Sequence, residues 1–172
     1  MHSTLSTIAR SVASIVVACT PIGVSAEELG HPAGEVLLTV TGAIEASNSE
    51  DGARFDLDML RTLPVTRYET TTIWTDGVQV FEGALLRDVL EAVGATGSEL
   101  RAVALNDYAI TFPVDGEEED HALIAYRMNG DRMSVRNKGP LWIVYPYDAD
   151  AAFRTEIIYA RSIWQLHRIE IR

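Results

Sequence analysis

The sequence predicts an α+β domain dominated by β-structure, a mainly antiparallel, mixed sheet or barrel with a few short helices. Three observations lead there. Short β-branched and aromatic runs recur along the chain with turn residues between them, and only two segments, both early, carry helical periodicity. The length of 172 residues suits one core rather than two.

The elements follow in order. The alternating run VLLTVTG, 36–42, predicts the first strand, with Leu37 and one neighbouring set inward. DLDMLRTL predicts a short helix, capped by Asp56 or Asp58 and stopped at Pro64. VTRYETTTIW, 65–74, reads as a strand, and Asp76-Gly77 is expected to turn it into VQVFEG as a hairpin. ALLRDVLEAVG, 84–94, is the clearest helix, because Leu85, Leu86, Val89, Leu90 and Val93 recur at helical spacing and Gly94 stands where a C-cap belongs. Strands follow at LRAVALN and YAITFPV, split by Asn106-Asp107, and at HALIAYRMNG and PLWIVYP. RSIWQLHRIEIR closes the chain as a strand whose apolar phase shifts between Leu166 and Ile169, which predicts a bulge. GEEED, 116–120, reads as a solvated loop, since it lacks the alternating oxygen spacing of a calcium loop.

Residues 1–26 read as a secretory signal, with Arg10 ahead of an apolar run from Val12 to Ala18 and Val24-Ser25-Ala26 as a small-residue cleavage site. The run is shorter than the roughly 20 residues a spanning helix needs. Val16-Val17-Ala18-Cys19 also resembles a lipoprotein box, so acylation at Cys19 is the competing reading. Residues 27–35 then form a flexible lead-in and 36–172 a single domain. Cys19 is the only cysteine, and a chain beginning near Glu27 has no disulfide, thiolate metal site or cysteine nucleophile. Loss of the leader removes one of 14 basic residues and none of 25 acidic ones, leaving 12 excess negative charges, which argues against nucleic acid as a partner.

No conventional catalytic constellation is present. There is no G-x-S-x-G, no H-E-x-x-H and no glycine-rich phosphate loop, and His31, His121 and His167 lie far apart in sequence. What remains is a supply of aromatics and arginines near predicted strand ends. Trp142, inside the apolar run LWIVY, is expected in the core. Trp74 stands among threonines beside a turn and is the candidate for stacking on a flat ligand. An aminopyrimidinone edge presents two parallel N–H groups, for which a carboxylate is the natural partner, so Asp76, Asp107 and Asp148 are candidates. Arg127 and Arg161 are candidates for the accepting side of such a ring, with an ion pair as the alternative for each.

The order of segments carries a resemblance. FEGALLRDVLEAVGATG, LRAVALNDYAITFPV, HALIAYRMNGDRMSVRNKGPLWIVYPYD and ARSIWQLHRIEI together resemble the oxidoreductase molybdopterin-binding fold of the sulfite oxidase superfamily, over roughly residues 36–172. The AYRMNG and GPLWIVYP pair is its most specific part. In catalytic members a cysteine before the FEG-like turn ligates molybdenum; here the corresponding place falls within Thr70-Thr71-Thr72, and a threonine hydroxyl is neither soft nor ionised at neutral pH. TTIWTDG and RSIWQL are similar to a cysteine-free group of secreted pterin-binding proteins, which present a reduced pterin to the periplasmic domain of a membrane cyclic-di-GMP cyclase or phosphodiesterase. That resemblance implies a sulfite-oxidase-like fold and a pterin ligand, molybdopterin or a reduced pterin, without metal. It implies Trp74, Arg127, Arg161, Trp164 and Asp107 as ligand contacts, no catalytic residue, a periplasmic location and a membrane signalling partner. The rival readings are a molybdopterin-dependent oxidoreductase subunit and an interaction module with an empty slot.

Overall fold

The computed structural model describes residues 29–172; the leader reading and Cys19 lie outside the described residues. Among the described residues, ten strands form two five-stranded sheets. The first has the order β2 (Ala53–Phe55), β1 (Leu38–Gly42), β10 (Leu166–Ile171), β5 (Glu99–Ala104) and β6 (Ala109–Pro113). The second runs β3 (Val65–Thr72), β4 (Thr75–Leu85), β7 (Leu123–Met128) and β8 (Asp131–Arg132), with β9 (Trp142–Val144) paired to the first half of β7. All pairings are antiparallel except that of β1 with β10, where Val40 lies opposite Ile169. The expectation of a mixed, mainly antiparallel α+β domain holds. Its barrel variant does not, because neither sheet closes.

Helix α1 (Leu57–Thr62) is capped by Asp56, whose Oδ1 accepts from Met59 N at 2.9 Å. Its Oδ2 accepts from Ala33 and Gly34, both at 2.8 Å, and so ties the lead-in to the helix. The carboxyl of Asp56 is held below its ordinary value, chiefly by the Met59 N–H. Helix α2 (Leu86–Ala92) ends as the sequence predicts: Gly94 takes φ +58°, Ala95 N donates to Leu90 O and Gly94 N donates to Glu91 O. These two bonds satisfy carbonyls that a helix end leaves open.

Two local expectations are corrected. The β3–β4 hairpin exists, but it turns at Ile73-Trp74 rather than at Asp76-Gly77, since Thr72 pairs with Thr75. Threonine side chains set that position: Trp74 N donates to Thr72 Oγ1 at 3.0 Å, and the Thr72 and Thr75 hydroxyls bond each other at 2.7 Å. Gly77, at φ +68°, sits instead in an irregularity of β4 opposite Thr71. The second correction concerns the run 161–172, expected as strand from its first residue. Arg161 instead ends a third helix, α3 (Glu156–Arg161), which the sequence reading did not include and which is capped by the Thr155 hydroxyl accepting from Ile158 N. The strand begins only at Leu166, with the predicted bulge between Leu166 and Arg168.

The sheets meet through β9. Trp142, Ile143 and Val144 are all fully buried; Ile143 N donates to Ile163 O at 2.9 Å and Leu166 N donates to Leu141 O at 3.0 Å. Leu123 to Ala125, their antiparallel partners on β7 in the same sheet, are likewise buried. The connection from α3 to β10 is therefore pinned across the seam between the sheets.

Candidate functional site

The site grows from three places that this seam brings together: the β3–β4 turn, the β5–β6 turn and the segment leaving α3. A cavity of about 340 Å³ opens there, lined by Trp74, Ala104, Asn106, Tyr108, Tyr159, Ala160, Ser162, Ile163 and Trp164. Small-molecule sites occupy about 300–1,000 Å³ and are mostly apolar with a few polar groups, which this one matches.

Two of the chain's three tryptophans, Trp74 and Trp164, line it, and the buried Trp142 packs against both. Trp74 lies 5.8 Å from Trp142 and 5.7 Å from Trp164 between ring centroids, and Trp142 lies 6.4 Å from Trp164. Trp74 also meets Tyr159 at 5.6 Å and Tyr147 at 6.2 Å, every contact edge-on. This fixes the plane of Trp74, because edge-to-face neighbours hold a ring by its quadrupole. Behind it, Trp142 Nε1 donates to Ser162 O, and the Tyr147 hydroxyl donates to Ser162 Oγ, which donates in turn to Ile158 O. Burial pushes the Tyr147 hydroxyl's pKa up, so it stays protonated and remains a donor. The ammonium of Lys138 sits 5.6 Å from the Trp142 ring and 5.8 Å from that of Trp164.

The residues expected from sequence divide between the lining and its surroundings. Trp74 and Trp164 line the cavity. Asp107, at φ +64°, stands in the turn between the lining residues Asn106 and Tyr108 and is exposed. Arg127 lies on β7 away from the lining, its Nε buried without a hydrogen-bond partner among the described residues. Arg161 is turned away from the lining: its guanidinium pairs with Glu119 and lies 5.6 Å from the centre of the Phe112 ring. Glu119, within the run expected as a solvated loop, is buried. Asp148 is engaged elsewhere, Oδ2 accepting from Thr71 N at 2.6 Å and Oδ1 from Thr71 Oγ1 at 2.7 Å. Tyr108, Asn106 and Tyr159 were not singled out from the sequence. Tyr159 could have been, since Thr155-Glu156 is a helix-start signature that places it one turn on.

The model of the oxidoreductase molybdopterin-binding domain matches residues 58–152. The chain belongs to that family. The sulfane dehydrogenase SoxCD from Paracoccus pantotrophus shares the fold of this molybdopterin-binding domain, with a TM-score of 0.53 at 18% identity over 78% of this chain. The likeness takes in 37% of the SoxCD chain. No curated protein matches the sequence.

The organic ring of the family's cofactor fits this lining: two indoles and two phenols offer flat contacts, and Asn106, Ser162 and the tyrosine hydroxyls offer polar edges. The metal does not fit the residues at its expected place. Thr70 Oγ1 donates to Thr71 O and accepts from Asp148 N, the Thr71 hydroxyl donates to Asp148, and the Thr72 hydroxyl bonds to Thr75. Each hydroxyl there is already engaged, and none has the softness of a thiolate.

Proposed function

We propose that this member of the molybdopterin-binding family holds a pterin as a ligand rather than as the carrier of a catalytic metal. The observation that supports it most is the pairing of an aromatic cavity with a hydroxyl-only Thr70–Thr72 segment whose bonds are closed internally. Stacking of a flat heterocycle on an aromatic plane contributes about 1–3 kcal/mol per ring. The role is delivery or sensing: an exported, periplasmic protein presents a reduced pterin to the outer domain of a membrane cyclic-di-GMP enzyme. The leader-like residues 1–26 and the resemblance of TTIWTDG and RSIWQL support that placement and partner.

A molybdopterin-dependent oxidoreductase subunit is the second reading, favoured by family membership itself. Purification of the full chain from a host that makes molybdopterin separates the two. Mass spectrometry and fluorescence of the small molecules released on denaturation are expected to show a pterin, with molybdenum far below one per chain. Stoichiometric molybdenum would overturn the proposal, and a released fraction without any pterin would favour an interaction module.

A further inference from the structure

The short helix α3 and the four residues after it supply most of the cavity wall. Tyr159, Ala160, Ser162, Ile163 and Trp164 all come from this stretch. A helix of six residues has little stability of its own. Something outside it must fix its axial position and rotation.

Arg161, its last residue, is placed to do so. Its side chain is not part of the lining; the guanidinium pairs with Glu119 and lies 5.6 Å from the centre of the Phe112 ring. Side-chain exposure is 18% for Arg161 and 4% for Glu119, so the pair is held largely out of water. The backbone around Glu119 is arranged for it. Gly116 takes φ +145°, and the Glu119 carboxylate lies where a Cβ at residue 116 would project. Within the acidic run Glu117 and Asp120 are exposed and Glu118 is half-buried, whereas Glu119 is buried. Tyr145 lies in the field of the same pair. Its buried hydroxyl has no partner among the described residues, and its pKa is pushed up by burial and then by the charge of Glu119.

We propose that Glu119 and Arg161 are the positioning residues of the aromatic cavity, with Arg161 acting through α3 on Tyr159 and Trp164 and making no contact with the ligand. A planar guanidinium can set both the distance and the rotation of a helix end, which a point-charge ammonium does less well. The inference rests on the cavity being the binding site, but its geometric half can be tested without a ligand.

The test uses the full chain and three variants: Arg161→Lys, Glu119→Gln and the reversed pair Glu119→Arg with Arg161→Glu. The first two preserve size, so that folding, checked by far-ultraviolet circular dichroism, is retained. The near-ultraviolet spectrum of the tryptophan cluster reports the wall directly, and titration with 6-methyltetrahydropterin reports binding. Both single variants are expected to change the near-ultraviolet spectrum and to weaken the probe by about tenfold, a change equivalent to about 1.4 kcal/mol. The reversed pair is expected to recover part of both. Native spectra and native affinity in Arg161→Lys and Glu119→Gln would overturn the proposal. So would weakened binding in Arg161→Lys alone with an unaltered spectrum, since that pattern belongs to a direct ligand contact. If the unaltered protein fails to bind the probe, the pterin reading fails, and the spectra still decide whether the pair positions the wall.

Discussion

At the scale of single residues, Trp74 joins the fold and the site. Its ring is fenced edge-on by four neighbours yet still lines the cavity, so removing it takes away both packing and a stacking surface. Trp74→Phe keeps an aromatic plane and Trp74→Ala does not. Titration with a reduced pterin should show about tenfold or greater weakening for Trp74→Ala, as loss of one stacked ring requires, and a smaller loss for Trp74→Phe. Asp148 acts on the same turn from the other side. Its carboxyl is held below the ordinary value of 3.8, first by the backbone N–H of Thr71 and then by the Thr71 hydroxyl. For a depressed carboxyl the sign is fixed: its stabilising contribution is complete above the unfolded-state value and is lost as pH falls through the lower folded-state value. Denaturant midpoints of the wild type should therefore fall as pH drops below about 4, and Asp148→Ala should show a shallower fall there. At neutral pH the same variant should cost about 1 kcal/mol, because solvent weakens hydrogen bonds to an exposed charge.

At the scale of elements, the C-terminus of α2 shows how closely local chemistry can specify structure. Gly94 occupies the left-handed region, and a Cβ there would come 2.9 Å from the Cβ of Glu45. Gly94→Ala should destabilise the protein by about 1–2 kcal/mol, read as a lower urea midpoint with an unchanged slope. That end was legible because a helical period and a single glycine pointed to one answer. The bulge in β10 was legible for a similar reason: the apolar phase slips visibly between Leu166 and Ile169. The β3–β4 turn was misread because Asp-Gly is a strong turn signal, whereas the competing signal came from hydroxyls of Thr72 and Thr75 that close the turn three residues earlier. Helix α3 was missed because Ile157, Ile158 and Tyr159 favour strands locally, and only the cap and the tertiary tie of Arg161 override them. The aromatic part of the site was thus partly readable through Trp74 and Trp164. The contribution of α3 was not, because it depends on a pairing across 42 residues with a glutamate in a run that looks like solvent-facing loop.

At the scale of the whole molecule, β9 couples the two sheets to the cavity. Trp142 is fully buried, meets Phe81 at 5.3 Å and forms a bridge with Trp164 across the seam. Trp142→Ala would empty a large core volume, with an expected cost of about 3–5 kcal/mol, and chemical denaturation should still show one transition if the sheets unfold together. Because that seam also holds the cavity wall, a ligand bound there stabilises the entire fold by mass action. A pterin at a hundredfold excess over its Kd should add about 2.7 kcal/mol, since only the native state binds it. For a chain of this length that corresponds to a rise in Tm of about 5–10 °C. Scanning calorimetry with and without the ligand tests the coupling. Trp74→Ala, needing about tenfold more ligand for the same effect, should lose close to half of the rise at that concentration. An equal rise in both proteins would place the bound ring somewhere other than the indole-lined cavity, for example in the recess of about 530 Å³ that includes Arg132 and His167.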